Sequence, residues 1–228
     1  MVQIIGHRGA RALEPENTLR AVDRGLACAG WVEVDVRLSR EGVPVVIHDA
    51  TLDRTTDGKG AVRGALVAEL AQRDAGRGER IPLLSEVLDR VDHRGGIVVE
   101  AKEEDAVPAI CRLLAAYGTD DVMLVSFHAG ALTAARTLLS GLATGLIVSR
   151  LERNPVEMAT RAGAGTLLPR MDLLSGGLVQ AARAAGIRMI PWTLNTEEET
   201  RRAMELGADG FATDDPCSAR EWVKETRS

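Results

Sequence analysis

The feature that most constrains this chain is an alternation of short apolar runs with amphipathic stretches, repeated from end to end. The apolar runs fall at 2–6, 31–38, 97–101, 122–127, 143–148, 166–169, 188–193 and 210–213. They are too short for helices and largely continuous, as in Gly96-Ile97-Val98-Val99, which suits strands buried on both faces. The stretches at 18–29, 83–91, 104–117, 129–139, 154–162, 175–185, 197–206 and 216–225 read as helices. Leu19, Val22, Leu26 and Ala29 share one helical face, and Asn17 or Thr18 can cap that helix. Pro155 and Pro216 stand near helix starts, where proline is tolerated. Eight strand–helix pairs in 228 residues match a closed (β/α)8 TIM barrel. An open doubly wound sheet is the alternative. Its Gly-rich nucleotide turn is absent, because His7-Arg8-Gly9-Ala10 lacks the spacing. With no linker or low-complexity stretch, one domain is expected over 1–228.

One segment breaks the alternation. Residues 43–48 look like a strand, yet only Ser39-Arg40-Glu41-Gly42 separates them from the second strand. Four residues cannot make a parallel crossover, so the pair must be an antiparallel hairpin prolonging strand two. If 38 faces 43, then 36 faces 45 and 33 faces 48, to within about one residue set by the turn type. His48 then lies beside Glu33. The polar, Gly-rich stretch 49–82 follows as a small insertion capping the same end.

Composition narrows the partners. The formal net charge is −5, and no basic stripe points to nucleic acid. No run approaches the roughly 20 apolar residues of a membrane span, so stable membrane association is not expected. Met-Val-Gln-Ile-Ile-Gly-His at the start lacks a basic n-region and reads as a strand, and the expected location is cytoplasmic. Cys28, Cys111 and Cys217 are odd in number and widely spaced, so three reduced thiols in or near the core are expected.

Polar residues inside the apolar runs carry the chemistry. Glu33 and Asp35 sit at i and i+2 of one strand and point the same way, into a barrel interior. Two carboxylates there repel unless something positive lies between them. A hard divalent cation answers this; the competing reading is a solvated hairpin face paired to Arg37 or Lys102. Glu100 ends the next core strand, where barrel active sites lie, and adds a third oxygen ligand. Lys102, of the same parity, can meet an anionic substrate. Oxygen-only ligands suit Mg²⁺ or Ca²⁺, and no His or Cys stands at zinc-ligand spacing. His7 and His48 end strand-like runs that converge on the carboxylates, and two imidazoles can share the base and acid roles a phosphodiester requires. Arg8 can grip a phosphate bidentately, or can pair with Glu16 or Asp35. Of the other two histidines, His93 reads as a surface residue and His128 as a rim residue.

These residues resemble the glycerophosphodiester phosphodiesterases. The likeness runs through His7-Arg8-Gly9, Pro15-Glu16-Asn17-Thr18, Glu33-Val34-Asp35, His48-Asp49 and Asp53-Arg54-Thr55-Thr56 with Gly58 and Gly60. It continues through 81–88, Glu100-Ala101-Lys102, Ser126-Phe127, 192–195 and 209–216, essentially the whole chain. The resemblance implies a TIM barrel with a small insertion that hydrolyses glycerophosphodiesters to sn-glycerol 3-phosphate and an alcohol. It implies that His7 and His48 are the acid/base pair and that Glu33, Asp35 and Glu100 hold one divalent cation. Arg8 and Lys102 would contact the phosphate, Asn17 would lie beside them, and Phe127 and Trp192 would line the glycerol or rim side. Three positions depart from the common pattern: Asp57 for Asn, Leu83 for Thr, and Asp215 for an aromatic or basic residue. They touch neither metal nor acid/base positions. Rival readings on the same barrel are a lysophospholipase D, a phosphoinositide-type phospholipase C, and a non-catalytic phosphodiester-binding scaffold. The leaving alcohol, the choice of acid and base, water attack against a cyclic phosphate, and oligomeric state stay open.

Overall fold

The computed structural model describes residues 2–150 and 154–225. Its strands are β1 (Gln3–Gly6), β2 (Trp31–Leu38), β3 (Pro44–Val46), β4 (Gly96–Ala101), β5 (Val122–Ser126), β6 (Ala143–Val148), β7 (Thr166–Pro169), β8 (Arg188–Met189) and β9 (Gly210–Thr213). Its helices are α1 (Leu19–Ala29), α2 (Val67–Leu70), α3 (Leu84–Val91), α4 (Val107–Tyr117), α5 (Ala129–Leu138), α6 (Pro155–Ala162), α7 (Gly176–Ala184), α8 (Glu197–Leu206) and α9 (Pro216–Glu225). Eight strands run parallel in the order β8-β7-β6-β5-β4-β2-β1-β9, and β3 pairs antiparallel with β2. This is the TIM barrel that the strand–helix alternation predicts. The seam is closed by single bonds rather than a regular ladder. Asp209 N–H donates to Met189 C=O (2.9 Å) and Ala212 N–H to Pro191 C=O (3.0 Å). The strand expected over 188–193 is regular only at Arg188–Met189. Past it, Pro191 has no N–H to give to β9, while Ile190 and Trp192 still donate to β7.

The period of two sorts each strand's side chains into two layers. Ile5, Val98, Val125, Ile147, Leu168 and Ile190 fill the barrel. Val32, Val34, Val36, Val99, Leu124 and Leu146 face the helices. Because three valines of β2 point outward, Glu33 and Asp35 must point inward.

Thr18, rather than Asn17, caps α1: its Oγ1 accepts the Ala21 N–H at 3.2 Å. Asn17, at φ +60°, is turned toward the barrel instead. The loop after β1 lies directly on α1. A Cβ on Gly25 would come within 2.4 Å of the Gly9 carbonyl oxygen, and one on Gly9 within 2.4 Å of the Ala21 backbone. This contact fixes the loop that carries His7 and Arg8.

The hairpin exists, with a register one residue further on than expected. Leu38 pairs with Pro44 and Val36 with Val46. Ser39 explains the shift: its Oγ accepts the N–H groups of Glu41 and Val43, so the turn absorbs an extra residue. β3 ends at Val46, and His48 reaches the mouth from the segment that leaves it. The insertion has a small core of its own, with Val45, Ile47, Leu52, Val62, Leu70 and Ile81 packed together.

The departures from the family pattern have local uses. Asp215 caps α9, accepting from the N–H groups of Cys217 (3.1 Å) and Ser218 (3.0 Å). Asp57 accepts the Asp74 N–H at 3.0 Å inside the insertion. Leu83 packs on the insertion core, and Glu86 accepts its N–H at 2.9 Å in place of a side-chain cap.

The expectation of three reduced cysteines is corrected. Cys28 and Cys217 form a disulfide, with Cα atoms 4.8 Å apart across a separation of 189 residues; Cys111 is free and buried. Barrel closure packs α1 against α9, a neighbourhood that residue spacing cannot reveal. A bridge over so long a loop removes roughly 5 kcal/mol of unfolded-chain entropy. Replacing both cysteines with serine should lower Tm by about 10 °C or more and abolish its sensitivity to dithiothreitol. An unchanged Tm, or two further reactive thiols in the untreated protein, would show the bridge absent.

Candidate active site

β2 and β4 are neighbours with Asp35 opposite Glu100 and Glu33 opposite Val98. Glu33, Asp35 and Glu100 are all buried, and one carboxylate oxygen from each lies within 4.8 Å of the others. They sit at the C-terminal end of the barrel, where barrel enzymes place their sites. The solvated-face reading of Glu33 and Asp35 therefore fails, although Asp35 does pair with Lys102.

The three acids differ in what surrounds them. Asp35 Oδ2 accepts from Asn17 Nδ2 (2.9 Å), and Asn17 Oδ1 in turn accepts the Asp35 N–H (3.1 Å). Arg8 Nε lies 3.2 Å from Asp35 Oδ2 and Lys102 Nζ 3.3 Å from Oδ1. Burial works to raise the Asp35 pKa, but Lys102, Arg8, His48 and Asn17 outweigh it and hold it at about 2. Among the described residues, Glu33 Oε2 accepts only the Arg8 N–H, at 2.9 Å, and its Oε1 is buried with no hydrogen-bond partner. Burial, then the charges of Asp35 and Glu100, push Glu33 well above the usual carboxylate range. Glu100 goes up to about 7 through burial and Asp35, against the pull of Lys102. Lys102 Nζ lies 2.6 Å from Glu100 Oε1 as an ion pair.

An orphaned buried carboxylate oxygen, three converging acids and an oxygen-only donor set fit a hard divalent cation. The three acids outnumber the two cationic side chains beside them.

Each histidine is held by its own aspartate. His7 Nδ1 lies 2.6 Å from Asp214 Oδ1, and His7 Nε2 lies 4.0 Å from Glu33 Oε2. Asn195 holds Asp214 in turn, donating from Nδ2 to Oδ2 at 2.9 Å. His48 Nδ1 lies 2.6 Å from Asp49 Oδ1, and its carbonyl accepts from Arg37 Nε at 2.8 Å. With each carboxylate on Nδ1, the Nε2 atoms are left for the pocket. Burial lowers the His48 pKa, offset in part by Asp35 and Asp49. Burial works to raise Asp214, but its hydrogen bond and charge pairing with His7 hold it below its usual range.

Both histidines, Arg8, Glu33, Glu100 and Lys102 line one cleft of about 460 Å³, counting space open to solvent. Its opposite wall is apolar: Val125, Phe127, Ile147, Leu168 and Trp192. Trp192 is fixed by its Nε1–H to the Leu168 carbonyl (2.9 Å) and meets Phe127 edge-on at 5.9 Å. Lys102 Nζ stands 5.8 Å from the Phe127 ring centroid. The structure thus brings together the proposed site residues, with Asn17 just behind Asp35. His93 is exposed at the surface, and His128 is half exposed, 3.9 Å from Glu104. Arg8 makes both ion pairs that competed with phosphate binding, to Glu16 (2.7 Å) and to Asp35. Asp49 and Asp214 were not singled out from the sequence. Each directly follows a strand-like run within a family-like segment, which is the signal that could have flagged them.

Fold and mouth together define a TIM-barrel enzyme with its polar groups at the expected end. Comparison with known sequences and structures fixes the family. Residues 7–218 match the glycerophosphoryl diester phosphodiesterase family. A glycerophosphodiester phosphodiesterase of Caldanaerobacter subterraneus subsp. tengcongensis is 34% identical, over 93% of this chain and 94% of that protein. An Oleispira antarctica phosphodiesterase, solved in complex with the product sn-glycerol-3-phosphate, superposes with TM-score 0.92 at 30% identity, over 97% of this chain and 96% of that one. A Thermotoga maritima glycerophosphodiester phosphodiesterase superposes with TM-score 0.83 at 29% identity, over 99% and 98%. The chain belongs to the glycerophosphoryl diester phosphodiesterase family.

The raised acids give a sign for pH. Glu100 and Glu33 bind protons more tightly folded than unfolded, so their contribution to stability is lost as pH rises toward and through about 7. His48, with its lowered pKa, acts oppositely, but only below its unfolded value near 6.5. Asp35 matters only in strong acid. The cation-free protein should therefore lose Tm between pH 6.5 and 8, and added Mg²⁺ or Ca²⁺ at pH 8 should restore it. A Tm that rises over that range, or ignores both ions, would contradict the cluster as described.

Proposed function

We propose that this protein hydrolyses glycerophosphodiesters to sn-glycerol 3-phosphate and an alcohol, by acid/base catalysis between His7 and His48 at a divalent-cation site. The observation that carries this reading is the buried cluster of Glu33, Asp35 and Glu100 in the same cleft as two histidines, each backed by an aspartate. The family membership and the product bound in the Oleispira relative support it.

Glu33, Asp35 and Glu100 would hold a divalent cation, which would supply positive charge at the phosphoryl oxygens. Lys102, and Arg8 from its ion-paired position, add to that charge and stabilise the transition state's growing negative charge. One histidine takes a proton through Nε2 from the attacking oxygen, either water directly or the substrate's 2-hydroxyl with water opening the cyclic phosphate afterwards, and the other protonates the alkoxide that leaves as its P–O bond breaks. Asp214 and Asp49 keep the required tautomers. Asn17 holds Asp35 from side chain and main chain alike, so one ligand stays oriented. The apolar wall of Phe127 and Trp192 packs on carbon rather than charge. That wall also admits a lysophospholipase D reading. A silent barrel is disfavoured, since nothing but chemistry needs two oriented histidines beside so costly a cluster of buried charge.

Release of sn-glycerol 3-phosphate from glycerophosphocholine should be seen in a coupled assay, should stop in EDTA and should return with Mg²⁺ or Ca²⁺. Activity insensitive to EDTA would remove the cation from the reaction. Lysophosphatidylcholine, run in parallel, should turn over more slowly; the reverse order would select the lysophospholipase D reading. His48→Ala and His7→Ala should each lower kcat by about a hundredfold or more with the fold retained. Near-normal turnover in either would remove that histidine from the mechanism.

A further inference from the structure

Arg54 stands in the insertion, outside the barrel, with its side chain about half exposed (48%). Yet among the described residues it makes four hydrogen bonds, all to two carboxylates. Nε and Nη2 donate to Asp49 Oδ2 (2.6 Å) and Oδ1 (3.0 Å). Nη2 and Nη1 donate to Glu16 Oε1 (2.8 Å) and Oε2 (3.1 Å). Each carboxylate has a second partner at the site. Asp49 Oδ1 lies 2.6 Å from His48 Nδ1. Glu16 Oε1 accepts from Arg8 Nη1 at 2.7 Å, and Arg8 Nε lies 3.2 Å from Asp35. A line of alternating charge thus runs from His48 to Asp35, with one guanidinium at its centre.

An exposed ion pair alone contributes little. A planar guanidinium forking two carboxylates is different, because it fixes the direction of both as well as their charge. A second arginine of the insertion provides the contrast. Arg77 also ties the insertion to the loop after β1, through Leu13 and Glu14, but the other partner of Glu14 is Arg20, which is half exposed and does not line the cleft as His48 and Arg8 do.

We propose that Arg54 is a positioning residue for the reaction. It holds Asp49 against the Nδ1 side of His48 and Glu16 against Arg8, and so couples the insertion to the acid/base and phosphate-binding groups at once. Without it, Asp49 can rotate away and His48 loses its preference for the Nδ1–H tautomer, which lowers kcat. Arg8 also loses the support of a fixed Glu16, which raises KM. The kinetic half rests on the function proposed above; the tautomer half does not.

The test is Arg54→Ala and Arg54→Lys, with Arg77→Ala as control, each checked for fold by circular dichroism. In R54A, kcat for glycerophosphocholine should fall by about 10–100-fold and KM should rise. Millimolar guanidinium should restore much of both. R54K should stay impaired, because an ammonium cannot fork two carboxylates. R77A should stay within about twofold of the unaltered protein, as a surface ion pair would. By ¹⁵N NMR, His48 should hold the Nδ1–H tautomer in the unaltered protein and a mixture in R54A and R54K, with His93 and His128 unmoved. Full activity and an unchanged His48 tautomer in R54K would overturn the proposal, and R54K decides alone if R54A does not fold. An equal loss in R77A would reduce Arg54 to a general staple. If the unaltered protein does not turn over the diester, the proposed function fails while the NMR comparison still decides the positioning role.

Discussion

Carboxylates buried side by side repel, and the interior of an apolar barrel holds little water to screen them. That constraint organises the mouth of this protein. Glu33, Asp35 and Glu100 are locked into proximity by the β2–β4 register, since moving any of them would slide a strand buried on both faces. The surroundings answer unevenly. Asp35 receives two amide contacts from Asn17 and two cationic neighbours, and stays ionised. Among the described residues, Glu33 receives one backbone N–H and keeps an oxygen without a partner. The imbalance is what a divalent cation would relieve.

The same constraint explains the supporting polar groups. Arg8 serves the cluster through its backbone and its side chain, which requires the tight loop after β1 and the close seat of Gly9 on α1. Glu16 and Asp49 then orient Arg8 and His48, and Arg54 joins those two carboxylates from the insertion. On the far side, Asp214 and Asn195 orient His7 from just past the last strand and from the loop before α8. Polar groups in this mouth rarely stand alone, as expected where an unpaired one is costly.

Much of the barrel was legible because strand parity is a local property. Glu33 and Asp35 alternate with valines, so whichever way β2 packs, the two acids share a face. Glu100 and His48 were legible as polar residues at the ends of apolar runs. The hairpin register was legible only to within a residue, because the Ser39 side chain, rather than loop length, decided the turn. Thr18 and Asn17 could not be ranked as caps, since the backbone turn that aims Asn17 at Asp35 exists only once the barrel has formed.

The sequence by itself determined the class of fold, the parity of the strand side chains and the residue types that line the cleft. All of these follow from periodicity and from the cost of burying charge. Tertiary structure alone decided the partners of those residues. It brought Asp214 to His7 across 207 positions, joined Cys28 to Cys217 across 189, and set Arg54 between two carboxylates from different segments. The physical reason is packing. Side-chain direction is set by nearest neighbours along the chain, but a pairing between distant residues exists only once the elements that carry them have packed together.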